Sequence, residues 1–80
     1  MKTFDFTCVG RLASIKGRLA TITIKVGEMP TQDIEWMVRK DFETKEIGAL
    51  VGCCGKLRHV DGQFCGVTDK IHRLGAPKKA

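Results

Sequence analysis

The chain has 80 residues, the size of one small domain, with no apolar run near the roughly 18 residues that a membrane span needs. Its 42% hydrophobic and 29% charged residues are typical of a globular protein rather than a disordered one. The net charge of +5 favours an anionic partner, nucleic acid first, and the chain's start lacks the apolar segment of a signal peptide, so we expect a cytoplasmic protein.

Residues 3–14 and 18–26 alternate between apolar and polar side chains, which predicts two β-strands. Between them, Ile15-Lys16-Gly17 predicts a three-residue hairpin loop that ends in a glycine at positive φ. This loop puts the apolar side chains on one face, whereas a two-residue loop mixes the faces. The register pairs Leu12 with Ala20, Gly10 with Ile22, Cys8 with Ile24 and Phe6 with Val26. We expect Phe4 and Phe6 in the core.

The middle of the chain can be interpreted in two ways. At helical spacing over residues 32–43, Ile34, Met37, Val38 and Phe42 form one stripe, and Trp36 points away from it. With residues 33–39 as a strand, Ile34, Trp36 and Val38 share one face with Phe42, and strict alternation adds Lys40 to that face.

A second hairpin is predicted near the end of the chain, where Val60-Asp61-Gly62 again suggests a three-residue loop ending in glycine. This register pairs Leu57 with Cys65, Gly55 with Val67 and Val51 with Ile71. It also predicts an outer face that is basic and carries one aromatic ring. That face comprises Lys56, Arg58, Phe64, Thr68, Lys70 and His72.

The strand interpretation predicts a mainly β protein, a small five-stranded OB-like Greek-key barrel with a short or degenerate helix between strands 3 and 4. Gly10 would ease a bend in a long first strand. The alternative is an α+β fold of the order strand-strand-helix-strand-strand. In either case residues 1–74 form one domain, and residues 75–80 form a disordered basic tail.

Several short motifs occur together in an informative order. They are Val9-Gly10-Arg11-Leu12, Ala20-Thr21-Ile22-Thr23-Ile24, Glu35-Trp36 with Phe42 six residues later, Gly55-Lys56-Leu57 and Asp61-Gly62-Gln63. Over residues 9–72 this pattern resembles a shortened, divergent member of the bacterial and phage single-stranded DNA-binding protein family. The resemblance implies an OB-fold from a phage or plasmid that functions in DNA replication or recombination and assembles as a homo-oligomer. The acidic tail typical of that family is replaced by Lys78-Lys79.

In that family, the positions that match Trp36 and Phe42 are platforms on which bases stack. Stacking on an aromatic ring tolerates any base and contributes about 1–3 kcal/mol per base. Basic side chains beside the rings would neutralise phosphates. The candidate nucleic-acid-binding residues are Trp36, Phe42, Arg11, Lys25, Arg39, Lys40, Lys56, Arg58, Phe64 and Lys70. Trp36 could equally be a core residue.

The cysteines and histidines do not indicate a metal site or an enzyme. No Cys-x-x-Cys spacing is present, and buried thiols are favoured over a metal site formed by Cys54, His59, Cys65 and His72. No catalytic Ser-His-Asp set and no phosphate-binding loop occur, so we predict neither a cofactor nor enzymatic activity. The alternative functions are a small adaptor or inhibitor that binds a larger protein, such as a nucleic-acid enzyme, and a purely structural oligomerisation subunit.

Overall fold

In a computed structural model, residues 2–25 and 27–77 form a closed barrel of antiparallel and parallel strands, and no helix occurs in these described ranges. The five strands are β1 (Phe4–Lys16), β2 (Leu19–Ile24), β3 (Gln32–Phe42), β4 (Leu50–Val60) and β5 (Gln63–Gly75). The strand order around the barrel is β1-β2-β3-β5-β4, and β4 closes the barrel by pairing with β1. This confirms the prediction of a small OB-like barrel.

The middle segment is a strand, so the alternative α+β fold is wrong. Ile34, Trp36 and Val38 are all buried, and the residues between them point outward, as alternation requires. Between Val38 and Asp41, the register of β3 against β5 shifts by one residue, because β3 has one more residue than β5 in this interval. This β-bulge turns Lys40 out to solvent, although strict alternation would place it inside. The predicted helix between strands 3 and 4 is absent, and residues 43–49 form an irregular connection instead.

The first strand is long because it pairs with two neighbours. Residues 4–11 pair with β4, and residues 11–16 pair with β2. Gly10 lies where the pairing of β1 passes from β4 to β2, which is the position at which a bend was predicted. A Cβ atom at Gly10 would lie 2.3 Å from the carbonyl oxygen of Thr23, so the close approach of β1 to β2 depends on the missing side chain.

The predicted loop and register of the first hairpin are wrong. The turn has two residues, Gly17 and Arg18, and Lys16 pairs directly with Leu19. Gly17 has a φ of 61°, which suits the first position of a tight hairpin turn. A bulge between Leu12 and Ser14 then shifts the register, so Leu12 pairs with Ile22 rather than with Ala20. The bulge keeps the apolar side chains of the hairpin on one face. The prediction explained the same face by a three-residue loop. The predicted partner of Phe6, Val26, lies outside the described residues.

The second hairpin also has a two-residue turn instead of the predicted three-residue loop. Asp61 and Gly62 have φ values of 50° and 78°, the left-handed pair that a type I′ turn needs. Leu57 therefore pairs with Gly66, one residue away from the predicted Cys65. Because side chains alternate with a period of two, this one-residue shift moves β5 side chains to the opposite face near the turn.

The barrel interior is built around Trp36, whose side chain is fully buried at 0% exposure. Two glycines on neighbouring strands make room for the indole ring. A Cβ atom would lie 3.1 Å from Trp36 Cζ3 at Gly55 and 2.5 Å from the same atom at Gly66. The other buried hydrophobic residues are Cys8, Leu12, Ala20, Ile22, Ile34, Val38, Ala49, Val51, Cys53, Leu57 and Ile71.

Strand β5 runs one residue beyond residue 74, the last residue of the predicted domain. Strand β5 includes Gly75, and the carbonyl oxygen of Ala76 accepts a hydrogen bond from Arg11 Nη1 at 3.1 Å. Residues 78–80 of the predicted basic tail lie outside the described residues.

The packing of Trp36 against Gly66 predicts that Gly66→Ala destabilises the barrel. The new methyl group would overlap the rigid indole and also approach the carbonyl oxygen of Lys56 at 2.8 Å. We expect a loss of about 1–3 kcal/mol in the free energy of unfolding, measured by urea denaturation, as for other overpacked cores.

A matched control for this substitution lies on the same strand. A Cβ atom at Gly75 would make only an ordinary contact of 3.5 Å with Leu50 Cβ, so Gly75→Ala should leave the free energy of unfolding nearly unchanged. Equal stability of the two variants would contradict this packing.

Candidate nucleic-acid interface

Trp36 is a core residue in this structure and offers no ring face to a base. It lies beneath β4 and β5, and its Nε1–H has no hydrogen-bond partner among the described residues. The assignment of Trp36 as a stacking platform is therefore corrected. The strand assignment was right, but the face of β3 that has Ile34, Trp36 and Val38 points into the barrel.

The positive charge is concentrated at one end of the barrel. We call residues 11–19, 38–50 and 69–77 the basic end, since they surround the β1–β2 turn and the β3–β4 connection. This end has eight basic residues, Arg11, Lys16, Arg18, Arg39, Lys40, Lys45, Lys70 and Arg73, and four acidic residues, Asp41, Glu43, Glu46 and Asp69. The remaining described residues include four basic and five acidic side chains.

The tertiary structure brings half of the predicted site residues together at the basic end. They are Phe42, Arg11, Arg39, Lys40 and Lys70. Phe42 is half-buried at the end of β3, where it pairs with Ile71 and packs against the core. Lys45 Nζ lies 5.2 Å from the centroid of the Phe42 ring, within the range of a cation–π contact. The Phe42 ring and the Lys45 ammonium group therefore lie side by side at the basic end.

Each of two acidic side chains at the basic end contacts two basic side chains. Asp69 lies 3.9 Å from both Arg39 Nε and Lys40 Nζ. These side chains are more than half exposed, so the pairs contribute little to stability and can be exchanged for other anions. The shared carboxylate leaves a local excess of positive charge.

Glu43 forms the second shared contact and is held more firmly. Its Oε1 accepts a hydrogen bond from the backbone N–H of Arg73 at 2.8 Å, and its Oε2 lies 3.3 Å from Lys70 Nζ and 3.6 Å from His72 Nδ1. The hydrogen bond from Arg73, together with Lys70, lowers the pKa of the Glu43 carboxyl below its ordinary value. Glu43 therefore ties the start of the β3–β4 connection to the end of β5.

Two arginines at this end hold backbone carbonyls. Arg11 Nη1 donates to the carbonyl oxygens of Gly48 at 3.4 Å and Ala76 at 3.1 Å, so this predicted phosphate contact also has a structural partner. Arg18, which the sequence patterns did not single out, donates to three successive carbonyl oxygens at the bulged end of β3. In the sequence, the only local feature associated with these contacts of Arg18 is its position after Gly17 in the β1–β2 turn.

The other predicted site residues lie outside the basic end, although Lys56 lines a groove together with Arg39 and Asp69. Lys25 is exposed after β2, and Lys56 pairs with Asp5 on the outer face of β1 and β4. Arg58 is exposed on the outer face of β4, opposite Cys65. The predicted basic face that combined Phe64 with Lys56 and Arg58 does not form, because the two-residue turn places Phe64 on the inner side, opposite His59.

An aromatic cleft occupies the opposite end of the barrel, which we call the aromatic end (residues 2–10, 20–25, 27–37 and 51–68). The cleft has a volume of about 570 Å³ and is lined by Phe4, Phe6, Ile24, Met29, Pro30, Gln32, Ile34, Leu57, His59 and Phe64. The rings of His59 and Phe64 lie 4.5 Å apart with a tilt of 37°. Phe4, expected in the core, is 46% exposed at the cleft, since β1 begins at the rim of the barrel.

The described cysteines are free thiols. Cys8 and Cys53 pair across β1 and β4 in the core, where the hydrogen bond to Cys8 and burial raise the pKa of the Cys53 thiol. The metal set considered from the sequence is not assembled, because His59 and His72 lie at opposite ends of the barrel. Among residues 2–25 and 27–77, no cluster of three or more potential metal ligands is present.

The lowered pKa of Glu43 predicts a pH-dependent contribution to stability. The contribution is complete above the ordinary pKa of 4.5 and is lost as the pH falls through the lower pKa of the folded state. We therefore expect Glu43→Gln to melt at a lower temperature than the wild type near neutral pH, and the difference to close in acid. Thermal melts from pH 7 to pH 2.5 would measure it.

Glu46→Gln is the matched control. Glu46 is also exposed in the β3–β4 connection, and its substitution removes the same charge. Its melting curve should follow the wild type at each pH. A gap between Glu43→Gln and wild type that stays constant down to pH 2.5 would rule out the contribution of the Glu43 charge.

Comparisons with known proteins identify no relative of this chain, so a functional assignment depends on the fold and on the geometry described above. Neither a protein family, nor a curated protein, nor a solved structure gives a significant match to the chain. The described residues include no helix of sufficient length and apolarity to span a membrane. The OB-like barrel is thus assigned from its strand order alone.

Proposed function

We propose that this chain is a non-catalytic module that binds single-stranded nucleic acid, in the first place single-stranded DNA during replication or recombination. The strand would bind at the basic end. The observation that carries the proposal is the excess of eight basic over four acidic side chains there, while the rest of the described barrel has no net positive charge. In sequence, Lys78 and Lys79 follow directly after this end.

Phosphate groups would be neutralised mainly by basic side chains whose present ion pairs can be broken at little cost in free energy. Arg39 and Lys40 share one carboxylate at the upper limit of an ion pair, so phosphates can replace Asp69 as their partner. Neutralising phosphates releases condensed counterions, and binding would weaken steeply as salt is added.

Base stacking would use the ring of Phe42 rather than Trp36. Phe42 is half-buried, so its inner part belongs to the core and its outer part remains for one base. Lys45 now lies over this ring and would move aside to a phosphate when a base stacks there. One partly accessible ring predicts an affinity dominated by charge rather than by stacking.

Oligonucleotide binding to Arg39→Gln/Lys40→Gln tests this interface. Fluorescence anisotropy with a labelled 20-nucleotide single strand should detect binding to the wild type at low salt, and weaker binding to a duplex of the same sequence. For single strands each neutralised phosphate contributes about 0.7 to the slope of log K against log salt. The double variant should therefore lower the absolute slope by about 1.4.

Lys2→Gln/Lys25→Gln is the matched control. It removes the same two charges from exposed positions at the aromatic end. We expect the slope to stay close to the wild-type value, and both variants to keep the wild-type melting temperature. Equal slopes for the two variants, or no binding by the folded wild type at low salt, would refute the proposal. The second result would favour the adaptor hypothesis.

A further inference from the structure

Two of the four cysteines lie face to face in the core, on the strand pair that closes the barrel. Cys8 of β1 pairs directly with Cys53 of β4 in the antiparallel register. Both side chains point inward, with exposures of 1% and 2%, and the two thiols are hydrogen-bonded to each other. Neither residue belongs to the basic end, so the proposed nucleic-acid binding does not account for this pair.

The register brings the two sulfur atoms within reach of a covalent bond. Directly opposed residues of an antiparallel pair have Cα atoms about 4.5–5.5 Å apart, and disulfides span Cα separations of about 4.4–6.8 Å. The side chains of Cys8 and Cys53 also lie on the same face of the strand pair. A disulfide between them therefore requires no change in the strand pairing.

The two thiols are chemically unequal. The hydrogen bond from Cys53 lowers the pKa of the Cys8 thiol, an effect that burial only partly opposes. The hydrogen bond to Cys8, together with burial, raises the pKa of the Cys53 thiol. The thiolate is the nucleophilic form of cysteine. Cys8 is therefore the thiol that attacks an oxidant, and Cys53 is placed to react with the oxidised sulfur of Cys8.

Burial restricts the oxidant to a small, neutral molecule. Exposures of 1% and 2% keep a bulky disulfide such as oxidised glutathione away from either sulfur, because thiol–disulfide exchange needs direct attack on a sulfur atom. On the outer face of the same strand pair, Thr7, Val9 and Cys54 are exposed, so only the backbone of β1 and β4 separates the thiols from solvent. Hydrogen peroxide is little larger than water and suits this limited access.

We propose that Cys8 and Cys53 form an oxidative modification site, at which hydrogen peroxide converts the two thiols into a disulfide between β1 and β4. The Cys8 thiolate attacks one peroxide oxygen, the O–O bond breaks, and the departing hydroxide takes up the proton lost by Cys8 to form water, which leaves a sulfenic acid on Cys8. The Cys53 sulfur then attacks the Cys8 sulfur and the S–O bond breaks. The departing hydroxide takes the proton of Cys53 and forms a second water. One peroxide is thus reduced by two electrons as two thiols become one disulfide.

This disulfide would fasten the barrel at its closing strand pair. β1 and β4 are neighbours in the barrel but distant in sequence, so the bond would close a loop that contains β2 and β3. A cross-link across a long loop restricts the unfolded chain and stabilises the folded one. Peroxide would therefore stabilise the barrel without altering a residue of the basic end. The inference does not depend on the proposed nucleic-acid binding.

Peptide mapping of the full chain tests this site. After exposure to hydrogen peroxide, the remaining thiols are alkylated under denaturing conditions and the chain is digested with trypsin. We expect a disulfide between fragment 3–11, which has Cys8, and fragment 46–56, which has Cys53 and Cys54. Dithiothreitol should release the two fragments. The oxidised protein should melt about 10 °C or more above the reduced protein.

Cys54→Ser is the matched control, because Cys54 lies in the same fragment but its exposed side chain points away from Cys8. This variant should form the cross-link at the wild-type rate. Cys53→Ser keeps a hydroxyl donor beside Cys8 and should instead retain a sulfenic acid on Cys8, which dimedone labels. A wild type without a link between the two fragments would overturn the inference, and so would a link that is lost in Cys54→Ser. Neither of these two samples is changed in the core, so the test does not require Cys53→Ser to fold.

Discussion

A tryptophan inside a five-stranded barrel is the constraint on which the rest of this structure depends. The interior of so small a barrel is only wide enough for side chains to fill, and the indole ring of Trp36 takes a large share of it. Strands β4 and β5 therefore have glycines, Gly55 and Gly66, at the positions that face the ring. The Nε1–H group of Trp36 is buried without a hydrogen-bond partner among the described residues, and its desolvation costs about 1–3 kcal/mol, which the burial of the ring offsets.

Outside the core around Trp36, the excess of basic side chains and the aromatic cleft lie at the two ends of the barrel. The basic end collects the β1–β2 turn, the β3–β4 connection and the ends of β3 and β5, where Arg18 and Glu43 secure the backbone. The aromatic end collects the start of β1 and the second hairpin, where Phe4, His59 and Phe64 surround a cleft. One end has an excess of basic side chains and the other has an apolar cleft, with the core between them.

The sequence patterns predicted the strands better than the hairpin registers. Alternation located β1, β2 and β4–β5, and the order of elements predicted the OB-like barrel. Both loops were predicted one residue too long, because burial of one apolar face can be achieved either by a longer loop or by a tight turn with a bulge. The bulges near Ala13 and Lys40 are set by pairing between strands that are distant in sequence, and no local pattern indicates them.

By itself, the sequence determined the two hairpins, the positive net charge and a set of candidate nucleic-acid-binding residues, and it left the middle segment open between helix and strand. Alternation reports which side chains share a face, but it does not report which face is inside. Only the tertiary structure decided that Trp36 and Phe64 point inward, since the direction of a strand face depends on turns and bulges. It also decided that Arg39, Lys40, Lys70 and Phe42 meet at one end, because that proximity arises from the parallel pairing of β3 with β5.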